Sequence, residues 1–153
     1  MGEGAMKIET VLGLPEGLEV RSFNVADQEI TLTLISTQQR PCCPLCGNSA
    51  SRVHSHYRRQ LTDMSCAGRR VRFILHGRKF FCDEQSCVRK IFTERLVPFI
   101  QPWARVTTRF FQAMGDIGLA TSGMLGARLG DRLGMPASWM TILRRVMAGV
   151  YGR

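Results

Sequence analysis

The chain has 153 residues, 44% of them hydrophobic, and a mean hydropathy of -0.05. That is the profile of a folded soluble protein with one domain or two small ones, and it argues against a disordered, collagen-like or transmembrane chain. No run approaches the ~18 consecutive apolar residues of a spanning helix, and the start lacks a charged stretch leading into an apolar one, so a cytoplasmic location is expected, nucleoid-associated if the partner is DNA. Lys and Arg number 21 against 12 Asp and Glu, for a net charge of +9 and a pI near 10.0. Only Lys7, Lys79 and Lys90 are lysine. The bias to arginine, whose planar fork suits bidentate contacts with phosphate and guanine, points to nucleic acid.

The charge divides the chain. Residues 1–51 carry three cations (Lys7, Arg21, Arg40) and six anions, whereas residues 52–112 carry 13 cations and four anions, and residues 113–153 five and two. A surface for a polyanion is therefore expected from Arg52 onward. There is no internal repeat and no low-complexity tract, which argues against a solenoid or a tail.

Residues 18–25 and 29–37 read as short strands, the second alternating Ile30, Leu32 and Leu34 on one face. Residues 51–57 and 69–81 read as extended, the latter β-branched and aromatic behind the turn signal Gly68. From Trp103 the period changes: Trp103, Val106, Phe110, Met114 and Ile117 recur at three and four, which predicts a helix to about Leu119 with Pro102 ahead of it. A second helix is predicted from Ser122 to Leu133 behind a Thr121-Ser122 cap, and a third after Ser138. In the third, Trp139, Ile142, Leu143, Val146, Met147 and Val150 form one apolar face, leaving Thr141, Arg144, Arg145 and Ala148 opposite. Gly126, Gly130 and Gly134 recur every fourth residue, a stripe expected to pack closely against another helix. The expected fold class is α+β: residues 1–100 a β-rich zinc ribbon, residues 101–153 a three-helix helix-turn-helix.

Six cysteines in a reducing compartment point away from disulfides. Cys43-x2-Cys46 followed by Gly47, and Cys82-x4-Cys87 beyond a β segment, form two local pairs that suit one structural Zn2+ held by four thiolates. A glycine after the second cysteine lets the knuckle turn through positive φ and aim amides at sulfur. The sequence leaves open Cys42 in place of Cys43, a mixed site completed by His54 and His56, and buried thiols without metal. Cys66, in a turn-like Ser65-Cys66-Ala67-Gly68, reads as a spare thiol. Four thiolates leave no coordination position for a water, and no triad, phosphate loop or paired-carboxylate motif is visible, so no catalytic residue and no small-molecule substrate are expected.

Cys43-Pro-Leu-Cys46-Gly47, Arg52-Val-His-Ser-His-Tyr-Arg58 with Leu61 and Asp63, Arg78-Lys-Phe-Phe-Cys82, Cys87-Val-Arg-Lys-Ile-Phe-Thr-Glu94-Arg95 and Ser138 through Arg144 resemble the N-terminal region of bacterial insertion-sequence transposases of the ISL-three group. The resemblance covers about residues 6–150, with Met1 to Ala5 as an extension. It implies a zinc-binding module followed by a helix-turn-helix, and recognition of an element's terminal inverted repeats in double-stranded DNA. The family's carboxylate-triad nuclease domain has no counterpart in these 153 residues, so strand cleavage is not carried over. Within that expectation Ser138, Thr141, Arg144 and Arg145 enter the major groove, with Thr141, Arg144 and Arg145 reading base edges. Arg52, Arg58, Arg59, Arg69, Arg70, Arg72, Arg78, Arg89 and Lys90 contact the backbone. A homodimer, a stand-alone transcription regulator and a protein-interaction zinc module are the other expectations.

Overall fold

The computed structural model describes the backbone of residues 4–151 and the side chains of residues 4–148. Residues 1–3 of the expected extension and the Val150 side chain lie outside them. The chain is a mixed α+β structure of a five-stranded sheet and four helices. A short helix, α1 (Ile8–Val11), precedes strands β1 (Leu18–Val25), β2 (Glu29–Ser36), β3 (Val53–Cys66), β4 (Arg69–Phe81) and β5 (Ile91–Thr93). Helices α2 (Thr108–Ala120), α3 (Gly123–Arg132) and α4 (Trp139–Tyr151) follow.

The long strand β4 organises the sheet. Its first half pairs in parallel with β2, its last three residues pair antiparallel with β5, and β3 runs antiparallel along the other side. β1 closes the far edge of β2. The β3–β4 hairpin turns through Ala67 and Gly68, at φ 51° and 76°, the two positive values that a two-residue turn matched to strand twist requires. Alternation along β4 sends Val71, Phe73 and Leu75 into a core with Leu18, Leu32, Leu34, Leu61 and Ile100. The opposite face leaves Arg58, Gln60, Arg70, Arg72 and His76 exposed.

Two smaller cores flank this one. At the Phe81 end of β4, Phe80 and Phe92 stack at 6.0 Å beside Cys43, Cys82, Cys87 and Ala50. At the hairpin end, Phe110, Met114, Met135 and Ile142 form the helical core, joined by Met64 of β3 and by Val106 ahead of α2. An ion pair between half-buried Arg109 and buried Asp63 fastens helices to sheet. Arg109 of α2 donates from Nε to Asp63 of β3 at 2.8 Å and from Nη1 to the Leu12 carbonyl at 2.7 Å, and the Thr107 hydroxyl donates to the same carboxylate at 2.6 Å.

The strands follow the expectation, except that β3 runs from Val53 to Cys66 and β5 has no counterpart in it. The first long helix does not start at Trp103. The Thr107 amide donates to the Thr62 carbonyl, which ties this stretch to β3, and the Thr107 side chain caps α2 by accepting from the Phe110 amide. Trp103 is left on a loop, 90% exposed. Ser122 and Ser138 cap α3 and α4 as expected, accepting from the Leu125 and Thr141 amides. Of the expected glycine packing face, Gly126 and Gly130 are closely packed, whereas Gly134 lies beyond α3 at φ +74° against the Gly68 carbonyl of the hairpin. A Cβ on Gly126 would stand 2.9 Å from the Thr121 hydroxyl, and one on Gly130 2.7 Å from the Met135 carbonyl.

Candidate metal centre and basic surface

Each cysteine pair is shaped by its own backbone. In the first knuckle the Cys43 amide donates to the Asn48 carbonyl, the Gly47 amide to the Cys43 carbonyl and the Ala50 amide to the Pro41 carbonyl. Gly47 takes φ +79°, the left-handed value its position demands. In the second, the Cys82 amide donates to the Lys90 carbonyl and the Cys87 amide to that of Glu84, so β4 and β5 set Cys82 and Cys87 on either side of a short loop. The Asn48 side chain donates to the Glu84 carboxylate at 2.9 Å and ties one knuckle to the other.

The four sulfurs converge. Cys43 and Cys87 Sγ are 4.0 Å apart, Cys46 and Cys82 Sγ 3.6 Å, and all four lie within 4.8 Å of one another. Sulfurs at ~2.3 Å around a tetrahedral ion stand ~3.8 Å apart, so the spacing fits one Zn2+ with four thiolates. Burial raises the Cys43 thiol, but the Cys46 and Leu45 amides aimed at it, together with the Cys46 and Cys82 thiols, bring it down to about 7. Cys82 takes the Glu84 amide, yet burial and the other three thiols push it up to about 12. Burial likewise raises Cys87 despite the Arg89 amide. Four crowded thiols ionise together only around a cation, and the amides that meet Cys43, Cys82 and Cys87 are the donors that orient thiolate ligands. Among the described residues no other His, Cys, Asp or Glu joins the cluster. Cys42 and Cys66 are exposed and outside it. His54 is directed at Phe81, edge to face at 4.8 Å, and at the Ser55 hydroxyl, so it and His56 take no part. The site is closed and structural.

The cations expected at DNA occupy three settings. Arg58, Arg70, Arg89 and Arg144 are exposed and outside every ion pair of the described residues. A second group is exposed or half-exposed but engaged. Arg52 pairs with Asp83 and lies 4.1 Å over Phe81, Arg72 pairs with Glu29 at 3.2 Å, Arg69 donates to the Ala26 carbonyl, and Lys90 donates to that of Cys87. The third group is inward. Arg78 meets buried Glu94 at 3.2 Å and the Gln38 carbonyl at 2.6 Å, while Ser36 donates to the same Glu94. Arg59 donates to the Gln101 and Ala104 carbonyls.

Arg145 is the main departure in the helices. It was expected beside Arg144 on the outer face of α4, but it is half-buried, with its guanidinium 5.5 Å from the Phe110 ring and 5.0 Å from Phe111, and burial lowers its pKa. The cause is a notch on α2. A Cβ on Gly118 would meet Ile142 and Val146 at 2.5 and 2.6 Å, so those two residues dock there and turn the neighbouring Arg145 inward. The remainder of the expected apolar face is rotated outward: Trp139, Leu143 and Met147 are 48%, 40% and 51% exposed. Ser138 and Thr141 hold each other at 2.9 Å at the start of α4.

Sequence reasoning gave no ligand-contacting role to Lys79, Arg95, Trp103 and Arg105, which gather at one cleft beside β3. Their only sequence signal is an aromatic residue after Pro102 between basic stretches. No helix among the described residues is long and apolar enough to cross a membrane. Neither the curated proteins nor the solved structures contain a match to the chain. Residues 39–87, which hold all four sulfurs and the whole of β3 and β4, match the family model described as the zinc-finger of transposase IS204/IS1001/IS1096/IS1165.

Proposed function

We propose that the chain binds double-stranded DNA as the recognition part of a transposase, directed at the terminal inverted repeats of an insertion element. The match of residues 39–87 to a transposase zinc finger carries this reading. The net charge of +9 and the exposed arginines of the β3–β4 face support it, because a basic surface supplies the salt-dependent part of DNA affinity. Helices α3 and α4, joined by residues 133–138 and packed on α2 through Met114 and Ile142, supply a helix-turn-helix in which the capped start of α4 enters the major groove.

In this reading Arg144 is the base reader, with Ser138 and Thr141 beside it, while Arg58, Arg70 and Arg89 contact phosphates. Arg145 packs the helices, Arg78 holds Glu94, and Arg59 holds the Gln101–Ala104 loop, so these three leave the contact set. Strand cleavage is not part of this reading. Arg144→Ala is expected to weaken binding to cognate element ends by ~1–3 kcal/mol and to relax specificity at one position. Footprinting and titration against element ends and random duplex check this, and equal losses on both would remove the base-reading role.

A second reading rests on the apolar residues that α4 leaves uncovered, Trp139, Leu143 and Met147. They support self-association through the helices. Sedimentation equilibrium that returns the monomer mass at all concentrations removes it.

A further inference from the structure

The outer edge of β3 and the segment from Thr93 to Arg105 enclose a cleft of about 630 Å³. Its lining includes Leu96, Ile100 and the half-buried ring of Tyr57. Arg58, Lys79, Arg95 and Arg105 also line it, and none of them forms an ion pair among the described residues. The one carboxylate present, Glu94, is already neutralised by Arg78. Trp103 belongs to the same lining yet leaves 90% of its surface in water.

The Trp103 backbone takes φ +64°, a left-handed value that a bulky side chain seldom adopts and that persists only where surrounding contacts impose it. Arg59 makes those contacts. It donates from Nε to the Ala104 carbonyl and from Nη2 to the Gln101 carbonyl, each at 2.9 Å, while the Ala104 amide donates back to Gln101. One guanidinium thus pins both ends of the turn and presents an indole that covers no core.

We infer that this cleft takes an unpaired nucleotide of a nucleic-acid strand, its base stacked on Trp103 and its phosphates on Arg95 and Arg105. The volume suits a ligand of nucleotide size. Cations without a counter-acid select a polyanion, and an exposed indole among them selects a base over the carboxylates of an acidic peptide, because every base offers a π face. The surface is separate from the outer face of α4, so the inference goes beyond the duplex-binding reading.

The test uses the full chain carrying Trp139→Phe, which leaves Trp103 as the sole indole. The ligands are oligothymidylate, oligodeoxyuridylate, oligouridylate, a blunt mixed-sequence duplex and polyglutamate. Oligothymidylate is expected to quench Trp103 fluorescence, and Trp103→Ala, read by the anisotropy of labelled nucleic acid, to weaken its binding by about fivefold to a hundredfold while leaving duplex affinity unchanged. Oligodeoxyuridylate against oligouridylate, which differ only at the 2′ position, assigns the sugar. Binding of oligothymidylate by Trp103→Ala as tight as by the parent overturns the inference, as does equal quenching by polyglutamate. A chain that binds strand but no duplex sustains the cleft and removes the α4 reading; a chain that binds duplex but no strand does the reverse.

Discussion

The sulfur end of the sheet and the three C-terminal helices solve the same problem, too little apolar surface, in different ways. Around Cys43, Cys46, Cys82 and Cys87 the core is only Ala50, Phe80 and Phe92, and the thiols fit a metal that can contribute ~10–16 kcal/mol to folding. The helices have no metal cluster among the described residues and rely on Phe110, Met114, Met135 and Ile142, with glycines letting backbones approach. The first device fixes a unique geometry from six to ten residues of local sequence. The second leaves Trp139, Leu143 and Met147 half in water, because the Gly118 notch accepts only Ile142 and Val146.

The largest effect is expected at the metal. Cys82→Ser removes one ligand, and the chain should lose its zinc together with amide-exchange protection through residues 41–50 and 82–92, while α2 to α4 stay protected. Equal loss of protection in the helices would show that the two regions stand or fall together. Next comes Met114→Ala, which empties a fully buried site between α2 and α3. It should lower stability in chemical denaturation by about 4 kcal/mol with zinc content unchanged. The smallest of the three concerns the joint. Asp63→Ala strands Arg109 and should lower stability by about 3 kcal/mol, and adding Arg109→Met should recover part of the loss, since a well-packed apolar replacement tolerates burial better than an unpaired charge. A double variant no better than the single one would assign the loss to the Thr107 hydroxyl bond instead.

The difference between the regions also decides what could be read in the sequence. Cys43 with Cys46, and Cys82 with Cys87, are local pairs whose spacing is itself the ligand geometry, and Gly47 announces the turn. β2 shows its inner face by the alternation of Ile30, Leu32 and Leu34. What escaped depends on partners far along the chain. Asp63 and Arg109 are 46 residues apart and give no periodic signal. The rotation of α4 that turns Arg145 inward depends on a glycine of α2, and Arg59, which looks like one more surface cation, is committed to two carbonyls of a loop more than 40 residues on. Trp103 matched the helical stripe by spacing, but Thr107 and its bond to Thr62 start the helix later.

Zinc content with K-edge X-ray absorption on the purified chain tests the central claim most directly. The account predicts one zinc per chain with a single shell of four sulfurs at ~2.3 Å, lost in Cys43→Ser and retained in Cys42→Ser and Cys66→Ser. Folded protein free of zinc, or a shell containing imidazole nitrogen, would contradict it.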